Sequence, residues 1–253
     1  MADSVIGLQM YTLRDFMGNA YDTADTFKKV ADIGYRNVEL AGYGGMEVTD
    51  LAKLLSDLGL RVCSSHVGFD VLRDTPEIVA EELHTLGCEW VCCGRDLSYT
   101  TEGGWVHFAQ ELSGIARRLS ELGLKYAYHN HSFEMERFNK RTIFDVLLEE
   151  SDPDYVNFQI DTYWVQHGGC NPEAVIRRVG NRVGMIHLKD MRMHGSEQFY
   201  AEVGEGNLNW AEIMAAGKEA GAQWYIVEQD ICERNPLESV TISLNNLQQM
   251  GFE

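Results

Sequence analysis

Asp32-Ile33-Gly34-Tyr35-Arg36-Asn37-Val38-Glu39-Leu40 carries the phrase that decides the fold. A helical stretch ends on an apolar residue, a glycine follows, and after a polar spacer a short apolar run begins. The phrase returns as Asp57-Leu58-Gly59-Leu60-Arg61-Val62-Cys63, as Thr85-Leu86-Gly87-Cys88-Glu89-Trp90-Val91 and as Glu121-Leu122-Gly123-Leu124-Lys125-Tyr126. It returns again at Val179-Gly180 ahead of Val183-Gly184-Met185-Ile186, and at Ala220-Gly221 ahead of Trp224-Tyr225-Ile226-Val227. Glycine just past a helix C-terminus takes the left-handed conformation at least cost, and buried parallel strands read as short continuous apolar runs. Residues 6–11, and residues 155–160 after the turn Ser151-Asp152-Pro153-Asp154, bring the strands to eight. Helical stretches separate them, and residues 237–250 supply the eighth helix.

Eight βα units in 253 residues match a closed (β/α)8 TIM barrel. An open doubly wound sheet would also alternate strand and helix, but no G-x-G-x-x-G follows the first strand. The nearest run, Ala41-Gly42-Tyr43-Gly44-Gly45-Met46, lacks the third glycine. Nothing in composition splits the chain, so residues 1–253 read as one domain.

Composition excludes some partners. With 21 Lys and Arg against 39 Asp and Glu, the formal charge is −18, which opposes the phosphate neutralisation that nucleic-acid binding needs. Anionic membrane surfaces are disfavoured for the same reason. No 18-residue apolar run predicts a membrane span, and residues 1–11 lack the basic start and apolar stretch of a signal peptide; a cytoplasmic location is expected. The six cysteines form no C-x-x-C pair, and several lie in apolar runs that suit buried, reduced thiols.

A barrel of this kind places its chemistry at the C-terminal ends of the strands. The first run ends Gln9-Met10-Tyr11, the second at Glu39, the third Ser64-Ser65-His66, and the fourth Cys92-Cys93-Gly94-Arg95. The fifth enters His129-Asn130-His131-Ser132-Phe133-Glu134 and the sixth ends Gln159-Ile160-Asp161. The seventh ends His187-Leu188-Lys189-Asp190, and the eighth Glu228-Gln229-Asp230. Four consecutive strands therefore deliver a His, Asp or Glu at matching depth. Asp161, His187 and Glu228 come directly after long apolar runs, so unaccompanied carboxylates would repel one another and lose hydration there. One divalent cation resolves both problems. Carboxylates and imidazole without thiolate favour Mn²⁺, with Mg²⁺, Co²⁺ and catalytic Zn²⁺ as alternatives.

At these residues the chain resembles the xylose isomerase-like sugar isomerase/epimerase superfamily, and within it the sugar phosphate isomerase/epimerase group. The resemblance covers nearly the whole chain. It is carried by Tyr128-His129-Asn130-His131 with Glu134, Gln159-Ile160-Asp161-Thr162, His187-Leu188-Lys189-Asp190, Val203-Gly204-Glu205-Gly206 with Trp210, and Val227-Glu228. It implies metal ligation by Asp161, His187 and Glu228. The strand-5 glutamate of the epimerases aligns near Tyr128, and a second family glutamate aligns with Glu134. Glu134 is therefore the expected fourth ligand, with His129 or His131 as the fallback. Trp164 stands where the epimerases carry a substrate-contacting histidine, which argues against simple C3-epimerisation. The resemblance also implies a homo-oligomer.

The expected chemistry is proton abstraction next to a carbonyl of a small sugar or sugar derivative, through a metal-bound enediolate. Glu228 is the expected base, with Glu134 or His131 returning or relaying the proton. Lys189 serves either to neutralise an anionic substrate or enediolate, or as a salt-bridge partner of Asp190 or Glu228. Gln9, His66, His129, Gln159, Trp164 and Glu205 are the expected substrate contacts, although His66 reads equally as a core histidine. The loop at residues 203–210 looks mobile around Gly204-Glu205-Gly206, with Asn209 and Glu212 opening the next helix. Trp105, Phe199 and Tyr200 read as lining a sugar pocket or an interface, or as simple packing. An isomerase or epimerase leads; the alternative is a lyase or hydrolase on 3-keto-glycosides. A non-catalytic sugar-binding barrel and an apurinic endonuclease come behind.

Overall fold

The computed structural model describes residues 5–94 and 99–252; Arg95 lies outside them. Eight parallel strands close into a barrel: β1 (Ile6–Gln9), β2 (Asn37–Leu40), β3 (Arg61–His66), β4 (Trp90–Cys93), β5 (Lys125–His129), β6 (Val156–Asp161), β7 (Val183–Leu188) and β8 (Trp224–Val227). Each strand pairs with its neighbours in sequence, and β8 closes on β1. Helices on the connections cover the outside.

The repeated glycines do what the sequence requires of them. Gly34, Gly59, Gly87, Gly123, Gly180 and Gly221 all have positive φ, so each helix reverses into its strand within a few residues. Asn19, Thr101, Asn171, Asn209 and Asn235 accept backbone N–H bonds at the opposite, N-terminal ends of helices, satisfying donors that a helix leaves open.

Some bounds differ from expectation. β1 stops at Gln9 and the chain tightens into a 3-10 helix, Met10–Phe16, because the Gln9 side chain accepts the Tyr11 N–H. β6 begins at Val156 and includes Asp161. The last helix is Pro236–Gln249. Two antiparallel ribbons decorate the C-terminal side of the strands. One pairs Arg137–Phe138 with Arg141–Thr142, and the other pairs Asp190–His194 with Glu197–Ala201. No helix among the described residues is long and apolar enough to cross a membrane.

Side chains alternate along each strand, and the barrel sorts them into two cores. The larger apolar cluster takes in residues such as Leu8, Val38, Ile160 and Leu188 together with the surrounding helices. Cys63, Trp90, Cys92, Ala127, Met185 and Ile226 form a separate cluster inside. One layer further toward the strand C-termini, the interior becomes polar. Register does this: Gln9 lies beside Glu39, Glu39 beside Ser64, His129 beside Gln159, and Asp161 beside His187. All four cysteines of the strands and their approaches, Cys63, Cys88, Cys92 and Cys93, are buried and free, as expected.

Candidate active site

Above the interior cluster a cavity of about 500 Å³ opens, lined among others by Gln9, His66, His129, His131, Trp164, Lys189, Glu228 and Asp230. Asp161, His187 and Glu228 place one ligand atom each within 4.8 Å of one another. His187 Nδ1 is 2.8 Å from Glu228 Oε2 and 3.9 Å from Asp161 Oδ2. All three side chains are buried. The three ligands expected from the sequence thus converge.

The centre of the hydrogen-bond network is a residue that sequence reasoning passed over. Glu39, completely buried on β2, accepts from Gln9 Nε2 at 2.5 Å and from Gln159 Nε2 at 2.6 Å. It also accepts from the Ser64 hydroxyl, and it lies 2.6 Å from His187 Nε2 and 3.2 Å from His66 Nε2. Burial alone would raise its pKa, but the charges and hydrogen bonds of His187 and His66 outweigh that and hold it well below the carboxylate range. Gln159 in turn presents Oε1 to His66 Nε2 and to His129 Nδ1, both at 2.8 Å. Gln159 is therefore a linker between Glu39 and the histidines, and it does not line the cavity as a substrate contact.

Lys189, also buried, places Nζ 2.9 Å from Asp161 Oδ2, 2.6 Å from Glu228 Oε2 and 3.1 Å from Asp230 Oδ2. The salt-bridge role is thus realised, with Glu228 but not Asp190, and with Asp230 as a partner the sequence reading did not select. Burial would depress the lysine, but these carboxylates hold it well above its ordinary value. Burial raises Asp161 to about 6 despite Lys189 and His187. For Glu228 the balance reverses: Lys189 and His187 outweigh burial and keep it well below the usual range. His187, which burial would depress, is lifted to about 10 by Glu39 and Glu228. His129 is pushed well down by burial and by the neighbouring histidines.

Two expected residues sit elsewhere. The structure does not bring Glu134 into the converging group. Its carboxylate closes the turn after β5, accepting from the Tyr128 hydroxyl and from the His131 backbone N–H, each at 2.8 Å. Burial raises it to about 7 there. Glu205 is exposed and its Oε1 accepts from Asn246, away from the cavity. Its loop is tied down rather than mobile. Asp190 accepts the backbone N–H groups of Met191, Gly204, Gly206 and Leu208, and the Trp210 indole at 2.7 Å. Asn209 caps the next helix, accepting from Glu212 N. Of the three aromatics, Trp105 is core. Tyr200 stacks on Tyr163 with ring centroids 4.3 Å apart, and Phe199 carries Arg192 at 5.2 Å.

Residues 27–248 match the family described as the xylose isomerase-like TIM barrel. Over 200 residues the chain is 25% identical to an inosose dehydratase of Geobacillus kaustophilus (strain HTA426), covering 70% of this chain and 64% of that protein. The match thus spans less than two thirds of the relative's length. A sugar phosphate isomerase/epimerase from Parabacteroides distasonis ATCC 8503 superposes with a TM-score of 0.84 at 24% identity, over 98% of both chains. The IOLI protein, solved with a zinc atom bound, superposes at 0.71 with 13% identity over 96% of both. At these identities the two structures share the fold.

Proposed function

The chain belongs to the xylose isomerase-like TIM barrel family, and from that footing we propose that it is a metal-dependent lyase. It would expel water, or the alcohol of a 3-keto-glycoside, from a keto-cyclitol or 3-keto sugar. The observation that carries this is the convergence of Asp161, His187 and Glu228, the last of which lines a cavity that also presents imidazole, ammonium and indole groups. The dehydratase name of the curated relative favours elimination over the isomerase outcome expected from the sequence.

A divalent ion fits the donors present. Two carboxylates and one imidazole are a suitable set for Mn²⁺ or Zn²⁺, and buried Asp161 Oδ2 accepts no aligned hydrogen bond, its close cationic neighbour being the Lys189 ammonium at 2.9 Å. Asp161, His187 and Glu228 would hold the ion, which when bound supplies Lewis acidity toward a carbonyl oxygen. Gln9, His66 and His129 line the cavity wall; of these His66 would meet the substrate hydroxyls, and the Lys189 ammonium adds positive charge beside the carbonyl. Glu228 takes the proton next to the carbonyl. The electron pair left behind becomes the new C=C bond, the β C–O bond breaks, and His131 gives the departing oxygen its proton. The products are a conjugated enone and water or alcohol, with no redox partner needed. Trp164 lines the same cavity, and an indole exchanges no proton in this pH range. It therefore offers no second acid for returning a proton to the other face, as epimerisation would require.

Purified protein with Mn²⁺ is given an inosose and a 3-keto-glycoside in D₂O. Near-ultraviolet absorbance of the enone, with release of water or aglycone, is the expected result. Recovery of an epimerised sugar without enone would transfer the assignment to an isomerase. No turnover with Mn²⁺, Mg²⁺, Co²⁺ or Zn²⁺ would remove it.

A further inference from the structure

We propose that His129 is the fourth protein ligand of the divalent ion, in the place expected for Glu134. This rests on the metal-dependent reading above. Glu134 has spent both oxygens on the turn after β5, one on Tyr128 and one on the His131 backbone. His129 is the last residue of β5 and faces the cavity. Its Nε2 lies 3.9 Å from Asp161 Oδ2, the oxygen that also lies 3.9 Å from His187 Nδ1. Ligand atoms each about 2.0–2.2 Å from a shared ion stand roughly 3–4 Å apart, so both nitrogens sit at a ligand's distance from that oxygen.

The hydrogen-bond network leaves the correct nitrogen open. Gln159 must give its amide N–H to Glu39 Oε2, 2.6 Å away, because an ionised carboxylate only accepts. Its Oε1 is then the atom 2.8 Å from His129 Nδ1, which fixes the proton on Nδ1 and the lone pair on Nε2. His187 is set in mirror fashion. Its Nε2 is committed to Glu39 at 2.6 Å, and Nδ1 is turned toward Asp161 and Glu228. Metal-bound histidines characteristically donate their second nitrogen to a carboxylate or carbonyl, and here one carboxylate, Glu39, organises two of them. With His129, each of β5 to β8 supplies one ligand, at or next to its C-terminal end.

The test is ligand counting by pulsed electron paramagnetic resonance on EDTA-treated protein reloaded with Mn²⁺, beside Mn²⁺ titration. Wild type is expected to bind one ion with two coordinated imidazole nitrogens. His129→Gln should leave one imidazole and weaken binding at least tenfold, while Glu134→Gln keeps two and stays within threefold of wild type. ¹⁵N-histidine spectra of wild type titrated with Zn²⁺ give the same answer without a variant, through shifts at His129 Nε2 and His187 Nδ1. Two imidazoles retained in His129→Gln, or a shift at His187 alone, overturns the ligand assignment and leaves the lyase reading standing. Wild type that binds no divalent ion overturns both.

Discussion

Glu39→Gln keeps the shape of the side chain and removes its charge, and the partners of each oxygen determine the cost. Oε1 faces Gln9 Nε2 and His187 Nε2, and Oε2 faces the Ser64 hydroxyl and Gln159 Nε2. An amide nitrogen in place of Oε1 opposes the Gln9 N–H, and keeps His187 only if that ring gives up its Nε2 proton and holds one on Nδ1 toward Glu228. In place of Oε2, it is tolerated by Ser64, whose hydroxyl turns to accept. Gln159, however, must flip and present its own N–H groups to His66 and His129. Either orientation forfeits at least two buried bonds to a charged group, each worth about 1.5–3 kcal/mol, so a loss of about 3–6 kcal/mol is expected. At roughly 2–4 °C per kcal/mol for a domain of this size, the melting temperature of the EDTA-treated protein should fall by roughly 10 °C. Divalent-ion affinity should fall roughly 10- to 100-fold, the usual effect of losing an outer partner of a metal ligand. Differential scanning calorimetry and Mn²⁺ titration read the two effects. A variant that melts within about 2 °C of wild type and binds Mn²⁺ within threefold would refute the reasoning.

Lys189→Met leaves Asp161, Glu228 and Asp230 facing one another without their ammonium. It should cost about 3–5 kcal/mol in EDTA, and added Mn²⁺ should stabilise it more than wild type; equal unfolding curves in EDTA would count against the pairing. Asp190→Asn puts an amide where an acid accepts four backbone N–H groups and an indole. Protease cleavage within residues 203–209 should accelerate at least tenfold, with the barrel's main transition less affected. Asp145 forms a capping box with Thr142 and pairs with Arg178. Burial raises its pKa, but those bonds and the arginine outweigh it and keep it depressed. A depressed acid stabilises the fold above the ordinary carboxylate range and loses that contribution as pH falls through its folded value. Asp145→Asn should therefore cost about 1 kcal/mol at neutral pH, the gap to wild type closing below about pH 4; a pH-independent gap would exclude the charge as the cause.

The barrel was legible because its information is local. Each Gly34-type phrase states a helix end and a strand start within nine residues, and six of them show the expected positive φ. Asp161, His187 and Glu228 were legible because a polar residue straight after a buried run is conspicuous. Glu39 ends the second run in the same way, but its meaning comes from Gln159 and His187, 120 and 148 residues along the chain. Only the closed register brings them together. Family spacing pointed to Glu134, yet a 3-10 turn at Phe133–Met135 directs that carboxylate back onto Tyr128 and the backbone. Gly204-Glu205-Gly206 reads as mobile because the tether, Asp190, lies fourteen residues before the first glycine.

The Glu39 network also bears on how such a catalyst can change. Gln9, Glu39, Ser64 and Gln159, which set the protonation pattern of the histidines, are at most 1% exposed. Tyr11 and Ile231, which border the same cavity, are 45% and 65% exposed. On the lyase reading, substitutions at the rim would therefore retune which substrate enters without disturbing where the protons sit. Drift in substrate preference is cheap for this barrel and a change of reaction is expensive, so close relatives should differ first in what they accept and only later in what they do to it.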